Sequence, residues 1–231
     1  MLLAAFAVPA GPLAGLLSLP WFGFTLLAGC LGLLRLRSRE RWALEELSSS
    51  ASLVFLAVGG MWTSLSRGGI RPMGFDEPII LLTGAHFHYA GLVLPLLTGL
   101  AGRELRGPAA RLAAVGVLAG VPAVALGINL SALGVRWVEW LAACLLAAFS
   151  ILAALLQLRL ARRATDVLVR ALLSVCGLSL LTGMILAALY ATGRYWGRDW
   201  LSIPVMIQTH GVLNALGFAL PGLLAWNRMR K

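Results

Sequence analysis

Trp140–Leu158 reads WLAACLLAAFSILAALLQL, nineteen residues without one charged side chain. Wound as an α-helix at about 1.5 Å per residue, such a stretch is roughly 28 Å long, close to the ~30 Å hydrocarbon thickness of a bilayer. Similar apolar segments recur near 13–34, 46–66, 78–101, 109–133, 136–158, 167–192 and 203–226. The sequence therefore predicts an all-α polytopic transmembrane bundle of seven helices, with residues 1–231 forming a single transmembrane domain. Residues 1–12 add an apolar lead-in broken by Pro9 and Pro12.

Composition agrees with a membrane setting. Of the 231 residues, 60% are hydrophobic and only 12% are charged, more apolar surface than a soluble domain of this length can bury. The net charge of +10 does not point to nucleic acid, because the arginines stand in short loops and not on one folded face. The partners expected are the lipid bilayer and a lipophilic small molecule, with no nucleic acid.

The arginines also give a topology. After the first, third, fifth and seventh segments stand Arg35, Arg37, Arg39 and Arg41; Arg103, Arg106 and Arg111; Arg159, Arg162, Arg163 and Arg170; and Arg228, Arg230 and Lys231. Those are fourteen of the 19 basic residues. The alternate loops hold Arg67, Arg71, Arg136, Arg194 and Arg198. Because cytoplasmic loops carry the excess of Lys and Arg, the bias predicts a multi-pass protein of the cell membrane, N-terminus outside and C-terminus in the cytoplasm. The first charge is Arg35, so no positive segment precedes the first apolar run, and the N-terminal segment is expected to be retained.

Tryptophans follow the same division. Trp21, Trp62, Trp137, Trp140, Trp196 and Trp200 fall toward the outer ends, and Trp42 and Trp226 toward the inner side. Each reads as an interfacial anchor, since amphipathic rings prefer that layer. Cys30, Cys144 and Cys176 lie inside apolar segments at spacings that suggest neither a metal site nor a disulfide framework, and read as small core residues. No cofactor is called for. No internal repeat stands out, and seven helices fit poorly with paired inverted repeats.

Ionisable groups inside a bilayer cost several kcal/mol unless paired or solvated, so each one is a functional candidate. All three histidines fall there. His86 and His88 lie in Leu82-Thr83-Gly84-Ala85-His86-Phe87-His88-Tyr89-Ala90-Gly91, and His210 in Thr209-His210-Gly211-Val212-Leu213-Asn214-Ala215-Leu216-Gly217-Phe218. Counted from Pro78 and Ile203, His86 and His210 stand at similar depth, roughly 12 and 10 Å into the outer half. His86 and His88 are about 200° apart on a regular helix, so one faces a polar cavity and the other makes a structural interhelical bond. Asn129, Glu139, Tyr190, Gln208, Thr209 and Asn214 fall at the same level, with Tyr89 beside the first pair. Glu77, followed directly by Pro78 and the apolar run, is expected to be partly desolvated, which would raise its carboxyl pKa and keep a proton available. Asp76 and Glu139 read as interfacial charges near Arg71 and Arg136.

The two histidine segments resemble those of the YndJ-like family of bacterial integral membrane proteins, in which a Leu-Thr-Ala-x-His-Phe-His-Tyr-Ala-Gly and a Thr-His-Gly-x-x-Asn-Ala-x-Gly-Phe segment recur. The chain departs from the first at Gly84, where that family carries Ala. The resemblance implies weight on these residues but brings no reaction with it.

The residues themselves suggest an intramembrane enzyme acting on a lipophilic, isoprenoid-type substrate as cyclase or isomerase. A carboxylic acid protonates an alkene or epoxide, aromatic faces stabilise the cation, and an imidazole removes a proton. Glu77, His86 and His210 are the expected catalytic groups. His88, Tyr89, Asn129, Glu139, Tyr190, Gln208, Thr209 and Asn214 are the expected substrate contacts. The alternatives are a haem- or metal-binding protein using histidines of the third and seventh helices, and a small-molecule transporter or sensor. Neither a Glu-x-x-His nor a His-x-x-x-His pair occurs to favour a metal centre.

Overall fold

The computed structural model describes residues 1–38 and 43–230. Arg39, Arg41, Trp42 and Lys231, used above in reading charge and tryptophan placement, lie outside the described residues. A short helix α1 (Leu2–Ala7) precedes α2 (Pro12–Arg37), α3 (Leu44–Arg67), α4 (Glu77–Leu105), α5 (Pro108–Ala132), α6 (Arg136–Arg163), α7 (Val167–Tyr195) and α8 (Ile203–Met229). The seven from α2 to α8 are long and apolar enough to cross a membrane. The protein is an all-helical, multi-pass membrane protein.

Local chemistry sets the helix limits. Pro12, Pro78, Pro108 and Pro204 stand in the first turns of α2, α4, α5 and α8, where the missing N–H would have had no partner anyway. At their other ends α2, α4, α6 and α8 run about a turn past the apolar segments. Those last turns carry Arg35 and Arg37, Arg103, Arg162 and Arg163, and Arg228. A cation there complements the helix dipole, and a long stem lets the charge reach water while its backbone stays helical.

Two helices are irregular. Phe87–Val93 in α4, and Ile207–Gly211 and Leu213–Ala219 in α8, are wound as π-helix. The Leu94 N–H bonds Tyr89 O and the Leu220 N–H bonds Ala215 O, five residues back in each case. Pro95 and Pro221 follow immediately. A proline supplies no N–H and crowds the carbonyl four residues earlier, and inside a bilayer a wider turn re-satisfies the displaced backbone groups.

The helices form two compact units, Met1–Leu96 and the chain from Leu97 onward, with α4 passing from one to the other. In the first unit α3 packs against α2 and the first half of α4. Glycine makes this close: a Cβ at Gly32 would meet Ser50 O at 2.5 Å, and one at Gly60 would overlap Thr25 Oγ1. Arg67, expected in a loop, ends α3 and is only 8% exposed. Its Nε donates to Ala5 O at 3.1 Å and its Nη2 to Val8 O at 2.7 Å, and its guanidinium lies over the Phe6 ring. That charge fastens α1.

In the second unit α5 packs on α6, α6 on α7, and α7 on α8. Gln157 is 1% exposed. Its Nε2 donates to Leu97 O at 3.0 Å and its Oε1 accepts from Trp226 Nε1 at 3.3 Å. Trp226, read from sequence as an interfacial anchor, is therefore a buried hydrogen-bonding residue, 4% exposed. Of the cysteines, Cys176 is buried as expected, but Cys30 is exposed on α2 and Cys144 is intermediate.

Candidate functional site

In the first unit, α3 and the start of α4 meet along a seam whose contacts step down the helices. Ser66 Oγ donates to Glu77 Oε1 at 2.7 Å. Further along, Thr63 faces Gly84: a Cβ there would meet Thr63 Oγ1 at 2.6 Å. Next comes Gly59, whose added Cβ would meet His88 Nδ1 at 2.9 Å, and then Phe55 against Gly91. Without these glycines neither the threonine nor the imidazole would fit.

His88 is the centre of the seam. Trp21 Nε1, which can only donate, bonds His88 Nε2 at 3.1 Å. The other nitrogen, Nδ1, therefore carries the hydrogen and donates to Gly84 O at 2.8 Å. The two rings lie nearly parallel, 18° apart, with centroids 5.6 Å apart. His88 thus bonds across helices, from α4 to α2. His86 is exposed, with Nδ1 2.9 Å from Leu82 O on its own helix, and Tyr89 is exposed beside it.

In the second unit His210 has the same proton arrangement from different partners. Its Nδ1 lies 2.8 Å from Gly183 O on α7. A carbonyl only accepts, so Nδ1–H donates. Asn214 Nδ2 then spends one hydrogen on His210 Nε2 at 3.2 Å and the other on His210 O at 2.8 Å. Asn214 is 8% exposed, and Gly183 leaves it room: an added Cβ would meet its Nδ2 at 3.3 Å.

Of the other expected contacts, several are committed elsewhere. Asn129 Nδ2 donates to Ala125 O and Thr209 Oγ1 to Val205 O, each four residues back on its own helix. Gln208 is exposed. Tyr190 OH accepts from Arg194 at 3.4 Å, and Arg136 in turn donates to Arg194 O. The Glu139 backbone lies against Gly127, where an added Cβ would meet its Cα at 2.7 Å. So His210 and Asn214 come together as expected, and Glu77, His86 and His88 lie in the first unit. Among the described residues, no three His, Cys, Asp or Glu side chains group so as to hold a metal ion.

The chain matches the YndJ-like protein family over residues 1–218. It belongs to that family. It is also 32% identical over 213 residues to the uncharacterized membrane protein YndJ of Bacillus subtilis (strain 168). That match takes in 90% of this chain but 38% of the relative's length. No solved structure matches.

Sequence reading missed Trp21, Ser66, Gly59 and Gly183. Trp21 was legible only as an anchor, since nothing in its neighbourhood tells a ring at the interface from one turned onto a histidine. The prolines seven residues after His88 and after Asn214 were the available signal for a distorted backbone at both motifs.

Proposed function

We propose that this YndJ-like protein is an intramembrane enzyme that acts on a lipophilic, isoprenoid-type substrate by acid–base chemistry, with His210 Nε2 as the proton acceptor. The observation that carries the reading is the fixed tautomer of His210. With Nδ1–H tied to Gly183 O, the lone pair stands on Nε2, where it accepts a neutral amide N–H of Asn214. A base needs its lone pair presented and its other nitrogen held by an acceptor. A substrate C–H made acidic by an adjacent carbocation, or a hydroxyl, would take the place of the Asn214 N–H. The π-helical winding around both residues supports the reading, since such turns gather at functional sites.

In this reaction class a carboxylic acid adds a proton to an alkene or epoxide, a cation forms, and loss of a proton to the imidazole restores neutrality. The product is an isomer of the substrate and the enzyme's proton count is unchanged. Glu77, held by Ser66, is the candidate donor within the first unit. His86 follows it by nine residues, about 13 Å along α4. Glu77 and His86 therefore do not serve one carbon atom.

The test is comparative lipid profiling of membranes from cells producing the protein or its His210→Gln variant. The expected result is a lipophilic species that builds up with the native protein and falls at least a hundredfold with the variant, the size usual for loss of a general base. Identical profiles, with both proteins present at equal level, overturn the proposal.

A second reading draws on the same anchoring. Imidazoles that ligate a metal or haem iron through Nε2 commonly donate Nδ1–H to a backbone carbonyl. A Soret band in the purified protein, removed by His210→Gln, would favour this haem reading over the enzyme.

A further inference from the structure

The helices carrying the two histidine motifs share a sequence register. Pro78, Thr83, Gly91, Leu94, Pro95 and Leu97 of α4 recur, at one constant offset, as Pro204, Thr209, Gly217, Leu220, Pro221 and Leu223 of α8. The structure keeps that register. Thr83 Oγ1 donates to Ile79 O at 2.8 Å and Thr209 Oγ1 to Val205 O at 2.7 Å, and Ile79 and Val205 correspond. The π-helical stretches Phe87–Val93 and Leu213–Ala219 correspond residue for residue, as do the closing bonds to Tyr89 O and Ala215 O.

Each helix also packs on its predecessor in the same way. In α3, Gly59 lies against His88 and Phe55 against Gly91. In α7, Gly183 lies against Asn214 and Ser179 against Gly217, where an added Cβ would overlap Ser179 Oγ. His88 and Asn214 correspond, Gly91 and Gly217 correspond, and in both partner helices the two contacts stand four residues apart. Sequence, winding and contact register thus match together.

We infer that α3–α4 and α7–α8 are two copies of one helix pair, and that His88 in the first copy is a second proton-accepting site equivalent to the one at His210. The repeat keeps the same order along the chain, α3 to α4 and then α7 to α8.

In each copy the paired positions four residues apart, Gly84 with His88 and His210 with Asn214, hold one imidazole. In each, Nδ1–H goes to a glycine carbonyl and Nε2 accepts from a neutral N–H. The ligand chemistry is therefore the same: a lipophilic molecule bearing a hydroxyl or other hydrogen-bond donor, which displaces Trp21 Nε1 in the first copy and Asn214 Nδ2 in the second. This inference rests on the proposed binding of a lipophilic substrate at His210, but its failure reads out separately.

Two measurements test it. Nitrogen NMR of the full chain in bilayers, with 15N-labelled histidine, is expected to show Nδ1-protonated neutral rings for both His88 and His210. An Nε2-protonated His88 overturns the inference whatever the ligand.

The second is photo-crosslinking with a diazirine-bearing farnesol, competed by unlabelled farnesol, and mapped by peptide mass spectrometry. Competed adducts are expected on two peptides, one with Trp21 or His88 and one with His210. Trp21→Phe, which keeps the ring but loses the N–H, is expected to raise the first adduct severalfold and leave the second unchanged. Adducts at His210 alone overturn the second site and leave the proposed function standing. Adducts at His88 alone uphold the second site and count against His210 as the acceptor. No competed adduct at either overturns both.

Discussion

The seams α3–α4 and α7–α8 hold an imidazole in one tautomer by opposite means. At His88 the carbonyl is four residues back on the same helix, Gly84 O, and the N–H donor comes from a different helix, Trp21 of α2. At His210 the carbonyl comes from the neighbouring helix, Gly183 O of α7, and the donor is four residues on along its own helix, Asn214. The first imidazole ties helices through Nε2, the second through Nδ1. At His210 the N–H donor to Nε2 is a residue of the histidine's own helix. That residue can move without parting the helices, so the second seam is the readier of the two to exchange its donor for a substrate.

Packing sharpens the contrast, and the largest expected effect lies there. Gly84→Ala places a Cβ 2.6 Å from Thr63 Oγ1 and 3.0 Å from the Thr63 backbone nitrogen. Thr63 Oγ1 is tethered to Gly59 O at 2.9 Å, so it does not swing aside. The helices must separate, and overpacking of this kind costs about 1–3 kcal/mol. Gly183→Ala meets Asn214 Nδ2 at 3.3 Å and His210 Nδ1 at 3.7 Å, side-chain ends that shift by tenths of an ångström. Thermal unfolding in detergent should show a clear fall for Gly84→Ala and a smaller one for Gly183→Ala. Equal falls would mean that the two seams are not packed differently.

Asn214→Ala comes next. It removes the two hydrogen bonds that Asn214, itself 8% exposed, donates to His210 Nε2 and His210 O, each worth about 0.5–1.5 kcal/mol. Its effect should be confined to the second unit, read as faster hydrogen exchange in α8 but not in α2 or α3. Trp21→Phe removes one interhelical bond at a half-buried position, and such bonds in membrane bundles average about 0.6 kcal/mol. The exchange pattern should invert, with α2 and the first half of α4 loosened and α8 unchanged. A change in both units from either substitution would contradict the division of the two sites.

Length and apolarity made the seven spans legible, because the bilayer imposes one length on every crossing and prolines mark several starts. The overrun at the arginine-bearing ends was not legible from apolarity, since those turns are polar by composition and helical only because long side chains reach out from them. His210 and Asn214 were legible as a pair by their four-residue spacing, which the wider winding around them keeps in hydrogen-bonding reach. The roles of His86 and His88 were left open, because a regular helix sets them on opposite sides without saying which side meets a neighbour. Gly59 shows that His88 meets one, and a glycine 29 residues away carries no sign in sequence that it faces that ring. Gln157 with Trp226, and Arg67 with α1, were missed for the same reason: their polar partners are backbone carbonyls or single side chains far along the chain, which periodicity does not reveal.

The smallest expected effect concerns how the second seam is closed at its arginine-bearing end. Asp166 caps α7, its Oδ1 accepting from the Leu168 N–H at 2.8 Å and the Val169 N–H at 3.3 Å, while Oδ2 accepts from Arg228 Nε of α8 at 2.7 Å. The Arg228 hydrogen bond, aided by the helix N–H groups, holds the Asp166 carboxyl below its ordinary 3.8. A carboxyl depressed by folding adds stability above its unfolded value, and that contribution is lost as pH falls through the folded value. The loss should therefore begin below about pH 5 and be complete only well under 3.8. Asp166→Asn keeps a capping oxygen for Leu168 and Val169 and removes only the ionic tie to α8. The thermal midpoints of native protein and variant should differ slightly at neutral pH, since both partners are largely exposed and salt screens them. They should converge as the solution is acidified and stay apart by a constant amount above about pH 5. The first seam closes with Ser66 on Glu77, a bond that joins no arginine. A variant whose midpoint tracks the native protein in parallel down to about pH 3 would show that α7 and α8 are joined there by something other than charge.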